Sequence, residues 1–208
     1  MVKVLDNLSI PAHPVDSEAS RKRGGRRKPL LATYEPDKRL ESWLKVKRDY
    51  TSSGDTLDLI PIGGWHGQGR KAQWWSPILL AVRNPTTGEL EAVCKCMSGF
   101  TDKVYGEITA FYAPGSGNTS SAKKGYYDSA LTPTMWFEPR EVWEIAFADV
   151  TLSPTYTAAR GLVSMERGLS LRFPRFVRKR TDKGIDEAST GEFLAGVLYV
   201  PWDGGALG

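Results

Sequence analysis

Short stretches in which apolar and polar residues alternate recur along the chain, with the two-residue period of a half-buried strand. In the first of these stretches, Trp43, Lys45 and Lys47 fall on one face, and Leu44 and Val46 fall on the other. Further strands are predicted at 57–62, 78–82, 90–97, 142–150 and 169–178. The chain is therefore expected to be mainly β.

One helix is predicted inside this series of strands. Residues 101–113 carry apolar side chains at helical spacing, with Thr101 as a suitable N-cap and Pro114 as a stop signal. Residues 188–198 predict a terminal helix, or a helix followed by a strand. Five strands with one helix after the third are the outline of an OB-fold barrel, although the strand count alone leaves an SH3-like barrel open.

The bulk composition changes this picture little. The 208 residues are 40% hydrophobic and 25% charged, which allows one domain of about 150 residues and an appendage. No apolar run approaches the ~18 residues of a membrane span, so no membrane partner is expected. Cys94 and Cys96 would share one face of a strand at too great a separation for a disulfide, and we expect buried, reduced thiols in an intracellular protein.

The distribution of charge is more informative than the net charge of +4. Residues 167–183 contain seven Lys or Arg against one Asp, interleaved with Phe173 and Phe176. Residues 21–28 add six cations with no acid, inside a segment, 7–37, whose composition predicts a loop. Such clusters favour a DNA-facing surface. For 21–28, a solvated loop, an additional DNA contact and a nuclear import signal all stay open.

Several motifs occur in an order that carries a family resemblance. Residues 43–47 read WLKVK and 54–59 read GDTLDL, while VWE at 142–144, LSP at 152–154 and RFPRF with R-x-D-K at 172–183 follow. Together they resemble the last nucleotidyltransferase motifs and the C-terminal barrel domain of ATP-dependent DNA ligases of the eukaryotic replicative (DNA ligase I) type. The resemblance runs from Met1 to about residue 190 and implies an OB fold.

The resemblance also implies what the chain lacks. The K-x-D-G motif with the adenylated lysine lies upstream in that family and does not occur in this sequence. We expect a C-terminal fragment, with 1–50 as a remnant of the nucleotidyltransferase domain and 51–208 as the OB-fold domain. Alone, such a fragment is expected to form no enzyme-AMP and to seal no nicks.

Roles for individual residues follow from the resemblance. Lys45 and Lys47 would contact the α-phosphate of the adenylate, and Arg180 and Lys183 would orient the β- and γ-phosphates of ATP, with Asp182 orienting its neighbours. On the DNA side, Phe173 would press into the minor groove beside the nick while Arg172 and Arg175 meet the backbone, and Phe176 is expected in the core. Arg70 and Lys71, in a Gly-rich loop at 67–71, would add DNA contacts, or simply form a basic turn.

The cofactors and partners are implied in the same way. The substrates would be ATP, with AMP as a covalent intermediate, and nicked duplex DNA, with Mg²⁺ held mostly by the missing part. A nuclear monomer is expected, acting in DNA replication, repair and recombination and meeting a sliding clamp through regions outside this sequence. The alternatives are the C-terminal region of an mRNA capping guanylyltransferase and a non-catalytic OB-fold module that binds nucleic acid.

Overall fold

The computed structural model describes residues 26–27, 44–45 and 56–199. The chain divides into two compact units, 1–54 and 55–208. In the first unit, strand β1 (Arg26–Arg27) pairs antiparallel with β2 (Leu44–Lys45). The remainder of the predicted strand at 43–47, including Lys47, lies outside the described residues, and the predicted domain boundary after residue 50 stays a prediction.

The second unit is built on a curled antiparallel sheet. The strands of this unit are β3 (Thr56–His66), β4 (Trp75–Arg83), β5 (Leu90–Cys96), β6 (Thr119–Ser120), β7 (Tyr127–Asp128), β8 (Met135–Phe137), β9 (Trp143–Ala146), β10 (Asp149–Ser153), β11 (Gly168–Arg172) and β12 (Arg175–Lys179). In the sheet they follow the order β12-β9-β3-β4-β5, a parallel edge strand, β7, pairs with β5, and β8 pairs with β3 and β6. A separate antiparallel pair is formed by β10 and β11.

Both faces of this sheet are buried along β3, β4 and β5, which explains why these strands contain nearly continuous apolar runs. Alternate residues of β3 enter different clusters: Leu57 and Leu59 join one, and Ile60 and Ile62 join the other. The first cluster fills the barrel between the sheet and helix α1 (Asp102–Phe111). The second contains residues from outside the longer strands, among them Tyr127, Val142 and Ala188, so these parts of the chain follow no simple inside–outside pattern.

The two predicted helices are present. Helix α1 (Asp102–Phe111) lies between β5 and β9, and the Thr101 hydroxyl accepts a hydrogen bond from the Val104 N–H at 3.3 Å, which confirms the predicted N-cap. Helix α2 (Gly191–Tyr199) follows a 3-10 turn, so the first of the two alternatives for 188–198 is confirmed. No helix among residues 56–199 has the length and apolar character required to cross a membrane.

The predicted OB-fold architecture is confirmed, with two of its strands broken in the middle. The predicted strand at 142–150 divides into β9 and β10, and the predicted strand at 169–178 divides into β11 and β12. The second break falls at Phe173 and Pro174. Phe173 has a left-handed backbone with φ of 52°, and proline cannot donate to a strand ladder. A single straight strand over 169–178 was therefore wrong.

Cys94 and Cys96 are both buried, as predicted. Burial raises the pKa of Cys94 and raises the pKa of Cys96 to about 11. Since an unfolded thiol has a pKa of about 8.5, folding should lower the thiolate fraction of Cys96 at pH 8 by about two orders of magnitude. We expect iodoacetamide at pH 8 to alkylate the native chain far more slowly than the urea-unfolded chain, as followed by mass spectrometry. Equal rates in the two states would contradict this burial.

Candidate phosphate-binding site and nucleic-acid interface

Arg180 and Lys183, just after β12, both bind the largely buried carboxylate of Asp58 in β3. The Arg180 Nη1 lies 2.9 and 3.0 Å from the two Asp58 carboxylate oxygens, and the Lys183 Nζ lies 2.7 Å from Asp58 Oδ2. On its other edge, Arg180 donates from Nε and Nη2 to the two oxygens of Asp182, at 2.9 and 2.7 Å. These four residues, Asp58, Arg180, Asp182 and Lys183, are called the Asp58 cluster below.

The strand order builds this cluster. β9 pairs with β3 on one side and with β12 on the other, so the end of β12 arrives near the start of β3. The Arg180 N–H donates to the Val142 carbonyl at 2.7 Å and fixes the backbone where the cluster begins. Ser189 then binds Asp58 twice: its hydroxyl accepts from the Asp58 N–H at 3.0 Å, and its N–H donates to the Asp58 carbonyl at 2.8 Å.

The cluster is electrically balanced, because two cations face two carboxylates. The side chains of Arg180 and Asp58 are only 16% and 13% exposed, whereas that of Asp182 is 56% exposed. Hydrogen bonds from Arg180 hold the pKa of Asp182 well below its usual range, and the bond to Asp182, followed by the charge of Asp58, raises the pKa of Arg180. The guanidinium and the lysine are thus prepositioned side by side, with a carboxylate where an anion could bind.

Asp58 had no assigned role in the sequence analysis. The GDTLDL run was used there only as part of a family resemblance. One signal could have identified it: Asp58 is an acid between the buried Leu57 and Leu59, and a charge inside an apolar strand needs a partner. The sequence offers no means of finding that the partners lie more than 120 residues away.

The basic segment 167–183 separates into two parts in space. Its last four cations all carry acidic partners: Arg178 binds Glu144 at 2.7 Å, Lys179 binds Glu141 at 2.6 Å, and the other two belong to the Asp58 cluster. Arg167, Arg172 and Arg175 form no salt bridge within the described part of the chain. The excess of positive charge counted along 167–183 is therefore smaller in the structure, since cross-strand carboxylates neutralise the C-terminal half.

The turn between β11 and β12 presents Phe173, which is 69% exposed, and the guanidinium carbon of Arg172 lies 5.3 Å from the centre of its ring. The turn is clamped by the loop that follows β5. The Ser98 hydroxyl donates to the Pro174 carbonyl at 2.8 Å, and the Phe176 N–H donates to the Ser98 carbonyl at 2.9 Å. An exposed ring on a fixed turn is suited to contact a large partner.

Phe176, three residues along, behaves differently. It is 6% exposed and stacks on Phe100 at 4.7 Å between ring centres, with Trp143 at its edge. Its predicted place in the core is confirmed.

The loop at 67–71 contains a 3-10 turn, Gly69–Lys71, between β3 and β4. Lys71 donates to the Tyr105 hydroxyl at 2.9 Å and to the Met97 carbonyl at 3.3 Å, and its Nζ lies 4.7 Å from the centre of the Tyr105 ring. Lys71 therefore ties the loop to α1, whereas Arg70 is exposed. DNA contacts from these two residues stay a prediction.

The sites predicted at Lys45 and Lys47 belong to the first unit. The backbone of Lys45 lies in β2, its side chain is outside the description, and Lys47 is outside the described residues. Their contact with an adenylate stays a prediction.

Comparisons with known proteins agree with these motifs. The family "ATP dependent DNA ligase C terminal region" matches residues 71–183. DNA ligase 3 of Schizosaccharomyces pombe is 57% identical over 168 residues, which cover 79% of this chain and 21% of that protein. DNA ligase 6 of Arabidopsis thaliana is 50% identical over 169 residues, covering 81% of this chain and 12% of that protein.

DNA ligase 1 of Drosophila melanogaster is 46% identical over 166 residues, covering 79% of this chain and 22% of that protein. The chain thus spans about a fifth or less of the length of these relatives. The matched segment begins in the loop after β3 and ends at Lys183, the last basic residue of the Asp58 cluster. The chain belongs to the ATP-dependent DNA ligase family and carries its C-terminal region.

Proposed function

We propose that this chain is the part of a nick-sealing ATP-dependent DNA ligase that orients the leaving phosphates of ATP and holds the nicked duplex. One observation carries the proposal: the basic segment divides into a neutralised, prepositioned pair of cations and an exposed aromatic turn, whose flanking arginines form no salt bridge within the described residues. The first suits a small phosphate ligand, and the second suits a duplex backbone.

The small-ligand role belongs to Arg180 and Lys183. When a lysine attacks the α-phosphate of ATP, negative charge develops on the departing pyrophosphate, and fixed cations lower the barrier by stabilising that charge. In the described arrangement both cations bind Asp58, so a phosphate oxygen would take over contacts that this carboxylate now makes. Asp182 would hold the Arg180 guanidinium in the same orientation throughout the reaction, because it binds Nε and Nη2, on the edge that does not contact Asp58.

The remaining assignments rest on family membership. Lys45 and Lys47 would meet the adenylate α-phosphate, and Mg²⁺ would be held mainly by other parts of the enzyme. Among residues 56–199 no group of three or more His, Cys, Asp or Glu side chains could hold a metal ion. Nuclear localisation, a monomeric state and contact with a sliding clamp belong to the same proposal, as do roles in replication, repair and recombination.

The reaction itself is testable on the longer polypeptide that contains this chain. With radiolabelled ATP and magnesium it should form a covalent protein-adenylate, and it should then seal a nick. Labelling by GTP in place of ATP would support the capping guanylyltransferase alternative, and absence of any label would support a non-catalytic OB-fold module.

The duplex-binding role predicts a specific salt dependence. The measurement is the affinity of this chain for nicked duplex between about 50 and 200 mM salt, plotted as log K against log salt. Arg172→Ala and Arg175→Ala should each reduce the slope by about 1, because each arginine is expected to release one phosphate's counterions. Phe173→Ala should weaken binding without changing the slope, since its ring carries no charge.

Arg178→Ala is the matched control for these two variants. It removes an arginine from the same segment, but one that already binds Glu144. Its slope should stay near that of the wild type. Equal slope changes for all three arginines would show that the chain responds only to its total charge, and would contradict the division proposed here.

A further inference from the structure

An open groove of about 470 Å³, a volume within the range of small-ligand sites, includes in its lining Ile185, which lies two residues after Lys183 of the Asp58 cluster. Arg83, at the end of β4, and Arg140, just before β9, both line it. Leu90, Ile185 and the ring of Tyr126 add apolar wall, and Glu138 completes the polar side.

The groove and the Asp58 cluster open on the same face of the sheet. Along β3, Asp58 shares its side with Ile60, and along β4, Arg83 shares its side with Ala81, because successive strand residues alternate. Ile60 and Ala81 pair across the strands and enter the same apolar cluster. Arg83 and Asp58 therefore leave the sheet in the same direction.

Ser189 connects the two positions directly. It accepts from and donates to the Asp58 backbone, and its carbonyl accepts the Arg83 N–H at 3.0 Å. Asp58 and Arg83 thus lie on either side of one residue, roughly two strand spacings of about 4.8 Å apart. Arg140 precedes β9, which pairs with β3 on the side away from β4. It lies two residues before Val142, whose carbonyl accepts the Arg180 N–H.

The groove carries an excess of positive charge. Arg83 and Arg140 form no salt bridge within residues 56–199, whereas Glu138 is bound by Lys124 and by the Tyr126 hydroxyl, the latter at 3.1 Å. The bond from Lys124, followed by that from Tyr126 and by the charges of Lys124 and Arg140, holds the pKa of Glu138 below its usual range, so Glu138 offsets part of the positive charge of the groove. The nearby Glu187 carboxylate is turned back onto the Gly184 N–H at 2.8 Å.

We propose that Arg83 and Arg140 form a second phosphate subsite, which works with Lys183 to bind a polyphosphate such as the tail of ATP or released pyrophosphate. This proposal rests on the proposed function and extends it to residues outside the recognised motifs. Guanidinium groups bind phosphate through paired N–H donors, and two of them with Lys183 match a ligand that carries several adjacent phosphates. In the proposed reaction with ATP, the triphosphate is the ligand that carries such adjacent phosphates.

The test uses this chain as it is, with inorganic tripolyphosphate as the probe, in calorimetric titration at constant ionic strength. Arg83→Ala and Arg140→Ala should each weaken tripolyphosphate binding by about tenfold, as expected when one charge-assisted contact is lost. Binding of single inorganic phosphate should change much less. Arg160→Ala removes another exposed arginine that forms no salt bridge in the described part, and it should bind the probe as the wild type does.

Two outcomes would overturn the proposal. One is unchanged tripolyphosphate affinity in both groove variants, with folding verified by circular dichroism. The other is a loss of affinity for nicked duplex with none for tripolyphosphate, which would assign the groove to DNA phosphates. Neither outcome would touch the proposed ligase function, which is measured separately by protein-adenylate formation and nick sealing in the longer polypeptide.

Discussion

Replacing Lys183 with alanine in the full enzyme should slow formation of enzyme-AMP by on the order of 10²–10³-fold, the usual loss when one charge-stabilising group is removed. Sealing of a nick that already carries 5′-AMP should be nearly unchanged, because pyrophosphate is no longer present at that step. Single-turnover assays that start from ATP or from the pre-adenylated nick separate the two effects. Lys183 is a cleaner probe than Arg180, since the Arg180 side chain also binds Asp182.

Two variants complete this experiment. Lys103→Ala removes a highly exposed lysine on α1 and should leave both assays at the wild-type rate. Lys183→Arg should restore part of the first step, because it keeps the charge with a different geometry. If Lys183→Ala slowed both assays equally, the lysine would have a general structural role and not the step-specific one proposed.

Replacing Gly99 with alanine should destabilise the folded chain by about 2–5 kcal/mol, combining left-handed strain with overpacking. Gly99 has φ of 91°, and a Cβ there would overlap the Phe176 carbonyl oxygen, which belongs to the backbone and cannot move aside cheaply. The same loop clamps the Phe173 turn through Ser98. The variant should therefore also bind nicked duplex more weakly where it remains folded.

Gly115→Ala is the matched control, because Gly115 has φ of 80° but open space where the alanine Cβ would lie. This substitution should lower the free energy of unfolding only by the cost of a left-handed alanine backbone, about 1–2 kcal/mol. Urea titrations of the two variants give the comparison through their midpoints and slopes. Similar losses would mean that contact with the Phe176 backbone adds nothing.

Local patterns were sufficient for much of the fold. The alternation and caps of the sequence predicted the longer strands, the inserted helix and its Thr101 cap, because these depend on neighbouring residues, but the short strands β6, β7 and β8 were not predicted. The break at Phe173 could not be predicted in this way. A left-handed phenylalanine is held by hydrogen bonds from the Ser98 loop to the turn around it, and these come from a distant part of the sequence.

The candidate site shows the same limit in its charges. The count along 167–183 gave seven Lys or Arg against one Asp, but strand pairing brings Glu141, Glu144 and Asp58 to its C-terminal half. The order of strands in the sheet therefore decides which cations have acidic partners and which can bind a phosphate. Arg83 and Arg140 were not predicted as site residues, because neither belongs to a basic cluster in the sequence. Only the fold brings them to one groove.

The carboxylate of Asp58 is covalently part of the chain, and it would therefore act as an intramolecular competitor for the phosphate ligand proposed at Arg180 and Lys183. A tethered competitor has a high effective concentration, so a ligand with a single phosphate gains little by displacing it. A polyphosphate can offset that loss through additional contacts. In the proposed reaction, the carboxylate would return as the product leaves, so that both cations regain a partner at once. Asp58 would thereby favour product release over product inhibition and select for ligands with several charges.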